Sequence, residues 1–118
     1  MALTQIHLGD NSIEQMRWLI EAWRAATTLR GRGVDIRAVT TWALLSSLNW
    51  NNLVTRETHS YEPGAFRLRN GVPEETDLAG LIRQLAHGRI PSDPRLETWG
   101  WWRQRNRLRN TADAAIAA

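Results

Sequence analysis

The feature that most constrains this chain is an uncharged run, Ala38-Val39-Thr40-Thr41-Trp42-Ala43-Leu44-Leu45, which follows a long amphipathic stretch and a glycine stop. Branching at Cβ in Val34, Ile36, Val39, Thr40 and Thr41 fits a pleated backbone better than a helix. The run carries no charge and no clean polar alternation, so it reads as a strand covered on both faces. Strands of that kind are parallel and need a crossover, usually helical. The chain supplies one. Ile13, Met16, Leu19, Ile20, Trp23, Ala26 and Thr27 recur at helical spacing, with Arg17, Glu21 and Arg24 on the other side. That predicts a helix over about residues 13–30, ended by Gly31 and Gly33. Upstream, Leu3, Ile6 and Leu8 mark a short strand over residues 2–8. Gly9-Asp10-Asn11-Ser12 breaks it, and Asp10, Asn11 or Ser12 can cap the helix.

Downstream, residues 46–60 read as a polar loop holding Leu48, Trp50 and Leu53, with Asn49, Asn51 and Asn52 suited to turns. Pro63-Gly64 and Asn70-Gly71 are further turn signals on either side of a short extended stretch near Phe66. Pro73 is expected to open a second helix, with Glu74, Glu75 and Asp77 at the positive end of its dipole. Leu78, Leu81, Ile82 and Leu85 form its apolar stripe, and Gly88 ends it. Beyond Arg89 comes a linker, Ile90-Pro91-Ser92-Asp93-Pro94. Leu96, Trp99, Trp101, Trp102 and Leu108 are then apolar enough to dock on something, before an alanine-rich end over residues 111–118, helical or frayed. The expected organisation is a βαβα segment over 1–89 and a Trp/Arg-rich tail over 90–118. No internal repeat is visible.

Composition narrows the chemistry. The chain has no cysteine, so a disulfide framework and a thiolate metal site are excluded. No metal or cofactor is expected, and no Gly-x-Gly-x-x-Gly follows a strand to hold a dinucleotide. No apolar run reaches the roughly 18 residues of a membrane span, and no signal peptide pattern opens the chain. A cytoplasmic location and no membrane contact are the expectation. Every basic residue apart from histidine is arginine, yet net charge is only +3. Arg103, Arg105, Arg107 and Arg109 cluster beside tryptophans, a pattern shared with nucleic-acid interfaces. Without a binding motif the cluster reads as a solvated or docking tail, and nucleic acid is not an expected partner.

Trp42-Ala43-Leu44-Leu45, followed by Asn49-Trp50, resembles the last barrel strand and loop of the family-1 glycoside hydrolases, the β-glucosidase group. Leu3-Thr4-Gln5-Ile6-His7 stands where that family has a Thr-Glu strand end carrying the nucleophile. Gly100-Trp101-Trp102-Arg103 is similar to a segment after the barrel in bacterial proteins that join such a barrel to a dTDP-4-dehydrorhamnose reductase domain. The resemblance covers residues 2–87 well and the tail to about residue 108 more weakly. It implies an α/β fold: a partial (β/α)₈ barrel comprising the last two β/α units. A whole barrel takes about 250 residues. Two parallel strands leave both edges open, so completion by self-association, or by a partner supplying strands, is expected.

Retaining glycosidases use two carboxyl groups about 5 Å apart. The family's acid/base lies on a strand outside this segment, and Gln5 occupies the nucleophile-equivalent position with an uncharged amide. The resemblance therefore implies a remnant or fragment of a family-1-like glycosidase, inactive alone. The alternative is a carbohydrate-binding or protein-interaction module linked to dTDP-rhamnose synthesis. A sugar is the small ligand that the resemblance implies for the carbohydrate-binding reading. Its candidate contacts are Gln5, His7, Trp42, Asn49 and Trp50. Trp42 matches the family's sugar platform or is a core tryptophan at a strand end. Asn49 stands where the family has a sugar-binding Glu, or is a turn residue. Trp50 contacts sugar or packs in the loop, and His7 is a base or a hydrogen-bonded structural residue. Glu57 and Glu62 are loop carboxylates, read first as solvated and otherwise as able to approach such a site.

Overall fold

The computed structural model describes residues 1–50 and 55–105. Leu53, Leu108, Asn51, Asn52, Arg107, Arg109 and the alanine-rich end fall outside the described residues. Strand β1 (Ala2–Ile6) runs into helix α1 (Ser12–Gly31), which returns the chain to β2 (Ala38–Thr41). β1 and β2 pair in parallel, so this opening unit is strand, helical crossover, strand. The Asn11 side chain caps α1 by accepting from the Ile13 and Glu14 amides, both at 3.1 Å, which relieves two of the first turn's unpaired donors. Gly33, at φ +90°, supplies the left-handed residue just past the helix.

The apolar stripe of α1 is the centre of the core. Met16, Leu19 and Ile20 pack with Leu78, Leu81 and Leu85 of helix α2 (Asp77–Ala86) and with Leu96 of the short helix α3 (Pro94–Glu97). Ile6, Ile13, Trp23, Val39 and Ile82 close its rim. One helical layer thus covers one face of the β1–β2 pair. Val39 and Thr41 are half-buried, whereas Ala38 and Thr40 are exposed. The expected burial of β2 on both faces is not met, because nothing among the described residues covers the second face.

The uncharged run also ends as a strand earlier than its composition predicts. β2 stops at Thr41, and the carbonyls of Ala43 and Leu44 accept from the Ala65 and Phe66 amides at 3.0 and 2.9 Å. Competing pairing therefore pulls residues 43–45 off the β1 ladder. Close backbone approach permits this: a Cβ on Gly64 would lie 2.6 Å from the carbonyl oxygens of Ala43 and Leu45. The stretch expected as a polar loop holds a small antiparallel pair, β3 (Ser47–Leu48) with β4 (Tyr61–Glu62).

Pro73 does not open a helix. It lies in β6 (Val72–Glu75), opposite Leu68 of β5 (Phe66–Arg69). Asn70 and Gly71 connect the two strands at φ +52° and +79°, the paired positive values a two-residue hairpin turn requires. That turn takes residues 72–75 into a ladder before a helix can form. α2 starts later, at Asp77, after a Thr76 N-cap. Glu74 and Glu75 serve Arg67 and Arg83 instead of the helix dipole. The residues 90–105 do dock: Leu96 enters the core, and a 3₁₀ turn (Trp101–Arg103) lies against α1.

Among the described residues, no helix is long and apolar enough to cross a membrane.

Candidate functional site

Residues that leave the parallel pair at its C-terminal end converge on one cluster. Register sets where it begins. Ala2 pairs with Ala38 and Leu3 with Val39, but Ile6 pairs with Thr41, so β1 spends one extra residue between Leu3 and Ile6. That is a β-bulge, which bends a strand and re-aims a side chain. Gln5 sits in it at φ +57° and is exposed. The ladder closes beyond the bulge, where the Trp42 amide donates to the Ile6 carbonyl at 3.2 Å.

His7 follows directly. Its ring meets Trp42 edge-on, centroids 5.2 Å apart, and Trp42 packs at 4.6 Å against Trp50. His7 Nε2 lies 2.6 Å from Glu62 Oε2, and both side chains are mostly buried, at 14 % and 12 % exposure. A histidine–carboxylate pair this close fixes the ring's orientation. His7 Nδ1 and Ser47 Oγ are both buried with no hydrogen-bond partner among the described residues. Tyr61 donates its hydroxyl to Ser46 Oγ at 2.5 Å, and Ser46 donates to the Phe66 carbonyl.

Glu62 reaches His7 because of a buried amide. Gln15 is 4 % exposed, and its Nε2 donates to the Gly9 carbonyl at 2.6 Å and the Pro63 carbonyl at 3.0 Å. One side chain on α1 thereby ties the loop after β1 to the turn after Glu62. Thr76 adds a second anchor, with Oγ1 donating to the carbonyls of Gly64 and Ala65.

The five residues anticipated from sequence divide into three kinds. His7, Trp42 and Trp50 form one continuous aromatic row, and Trp50 is half-exposed at its outer end. Gln5 stands beside them in sequence, at the strand end, with an exposed side chain. Asn49 takes the turn role: at φ +55°, its Oδ1 accepts from the Thr58 amide at 3.2 Å, the Thr58 hydroxyl at 3.4 Å and the Ser60 amide at 3.0 Å. That oxygen is committed to the loop and not offered to a ligand.

Glu62 belongs to the cluster, and Glu57 does not: its carboxylate lies 3.5 Å from the exposed His59. Glu62 lies 55 residues from His7, so no local pattern pairs them. The available signal is the Pro63-Gly64 turn directly after Glu62, which holds that carboxylate against a folded segment. Among the described residues no group of histidine, aspartate and glutamate is arranged to hold a metal.

The cluster pairs an aromatic row with a buried histidine–carboxylate contact. An indole with an exposed edge, beside hydroxyl and imidazole groups, suits a ligand having an apolar face and polar edges. Comparison of the chain with protein-family models, with curated proteins and with solved structures yields no match.

Proposed function

We propose that this chain is a remnant or fragment of a family-1-like glycoside hydrolase barrel that binds sugar weakly at its strand ends and is inactive alone. One observation carries the reading. Gln5 and Trp42 stand at the C-terminal ends of adjacent parallel strands joined by a helical crossover, the end at which (β/α)₈ barrels build their sites. His7, Trp50 and Glu62 gather at the same end. The inactivity follows from chemistry, since an amide at position 5 cannot form a glycosyl ester.

The missing layer supports the barrel part of the proposal. Ala38 and Thr40 on β2, and Ala2 and Thr4 on β1, form an exposed face of small uncharged residues. Parallel sheets are normally covered on both sides. Leu44, at 69 % exposure, and Leu48, at 54 %, continue this apolar surface past the strand. Further strands, from a second copy or a partner chain, would cover it. We assign the protein to the cytoplasm, a reading compatible with the absence, among the described residues, of a helix long and apolar enough to cross a membrane.

Three measurements test this. Aryl glycosides should release no nitrophenol above the buffer rate; enzyme-like turnover overturns the inactivity. Titration calorimetry with glucose, rhamnose and dTDP-sugars should show binding that Trp42→Ala abolishes, and silence across that panel removes the sugar site. Sedimentation should report self-association at micromolar concentration. A compact monomer there counts against strand completion by copies.

A further inference from the structure

A second site lies on a different flank of α1, along the row Arg17, Glu21, Arg24 and Thr28. The segment after α3 comes back over this row. Arg17 Nε donates to the Arg95 carbonyl at 2.9 Å, and the Trp101 amide to Glu14 Oε2 at 3.2 Å. Trp102 Nε1 donates to Glu21 Oε2 at 2.9 Å, and Arg103 Nε to Glu21 Oε1 at 3.0 Å. The Trp102 ring also stands edge-on to Trp18, centroids 4.9 Å apart. These contacts frame a groove of about 370 Å³ between the helix and the returning segment, within the range of roughly 300–1,000 Å³ typical of small-molecule sites.

The charges lining the groove are unequal in what they have left to offer. Arg17 is taken by Glu14 and the Arg95 carbonyl, and Arg103 and Glu21 are taken by each other. Arg24 lines the same groove and has no ion pair or hydrogen bond among the described residues. Trp99 forms part of the wall and is 70 % exposed. An indole left in water beside an unspent guanidinium offers a stacking face and an anion contact together.

We propose that this groove binds a small ligand pairing a flat ring with one anionic group, of the nucleoside monophosphate class. The ring stacks on Trp99, the phosphate takes the Arg24 guanidinium, and the Thr28 hydroxyl lies on the same row of α1. Glu97, also in the lining, accepts from a ribose hydroxyl. Glu97 also sets an upper limit on the ligand. The repeated phosphates of a polynucleotide would meet its carboxylate, whereas a single phosphate need not. This site is separate from the strand-end cluster and does not depend on the glycosidase reading.

Indole N–H signals in ¹H–¹⁵N spectra test it, with Trp99 assigned through Trp99→Phe. Titration with AMP should shift the Trp99 and Trp102 signals and leave Trp42 and Trp50 in place. Trp99→Ala should weaken AMP binding about tenfold, and Trp99→Phe should retain most of it, since stacking needs only a flat ring. Arg24→Ala should reduce AMP to the level of adenosine, about tenfold weaker. Both substituted side chains are exposed, so the fold is not at stake. The proposal fails if AMP up to about 10 mM moves neither signal, a concentration beyond the weakest affinities of interest. It fails equally if Trp99→Ala and Arg24→Ala leave the affinity unchanged. A short single-stranded RNA binding more tightly than AMP overturns the single-nucleotide assignment.

Discussion

Gln15 is the residue whose replacement tests the architecture of the strand-end cluster most directly. Its amide is buried and donates to two backbone carbonyls, Gly9 and Pro63, on separate loops. Gln15→Met keeps length and nearly the volume, so packing is largely preserved. What it removes is both donors. A buried carbonyl deprived of its partner costs roughly 1–3 kcal/mol. Both oxygens lie near the surface and recover part of that from water, so the expected loss is about 2–4 kcal/mol in total. For a chain of this size it corresponds to a fall in Tm of roughly 10–20 °C. The second consequence is local. Freed from α1, Pro63 no longer holds Glu62 against His7, and the Trp42–Trp50 pair loses the imidazole that braces it. Near-UV circular dichroism should therefore lose aromatic intensity before the cooperative transition, while far-UV intensity holds. Gln84→Met, at an exposed position on α2, is the control. A Tm change below about 3 °C with an unaltered near-UV spectrum would refute the claim that this amide ties the site together.

Leu81→Ala, at a core position 3 % exposed, should cost about 2–5 kcal/mol by leaving a cavity, read as a lower urea midpoint with unchanged slope. Gly64→Ala should destabilise by about 1–3 kcal/mol, because the new Cβ meets the Ala43 and Leu45 carbonyl oxygens at 2.6 Å; thermal unfolding checks it. Gln5→Val should lose about 1–3 kcal/mol while Gln5→Gly is nearly neutral, since only glycine tolerates φ +57° freely. The side-chain hydrogen bond from Arg103 holds Glu21 below its ordinary carboxylate pKa, against desolvation and aided by Trp102. A carboxyl lowered in the folded state contributes stability at neutral pH and loses it as pH falls through that lowered value. Acid should thus release residues 101–103 from α1, reported by tryptophan fluorescence, and Glu21→Gln should abolish that acid step.

How far the fold could be read from sequence tracks how local its causes are. α1 was legible to within a residue at each end because its stripe, its Asn11 cap and its glycine stop all lie inside one stretch. The same holds for Leu78, Leu81 and Leu85. Pro73 was misread because two local rules competed: proline favours a first helical turn, and Asn70-Gly71 favours a hairpin. The hairpin won because Arg67 and Glu74 can pair across it and because proline is tolerated where a strand's N–H is not needed. The early end of β2 had no local signal. Its carbonyls were claimed by Ala65 and Phe66, some twenty residues on. Glu62 was visible only as a loop carboxylate, since pairing it with His7 requires the position of Gln15. The anchoring of Trp102 and Arg103 on Glu21 spans more than eighty residues and left no trace in any window.

The positions that break local rules separate structure from site. Among the described residues, four non-glycine residues sit at positive φ: Gln5, Asn49, His59 and Asn70. Asparagine tolerates that region better than most residues, and Asn70 is required there by the hairpin turn. Asn49 is held by three bonds to its own side chain, so its conformation is explained by the loop it closes. Gln5 has neither excuse: it lies within a strand, and no turn or side-chain bond among the described residues demands a left-handed backbone there. Such a conformation costs on the order of 1–3 kcal/mol and persists only where its surroundings hold it. Here the Ile6–Trp42 backbone bond beyond it and the Leu3–Val39 pair before it fix both ends of the bulge. A sequence free to relax would delete the extra residue and lose nothing in the core, because Leu3 and Ile6 would remain on the ladder. What it would lose is the bend two residues before His7, and with it the placement of that imidazole edge-on against Trp42.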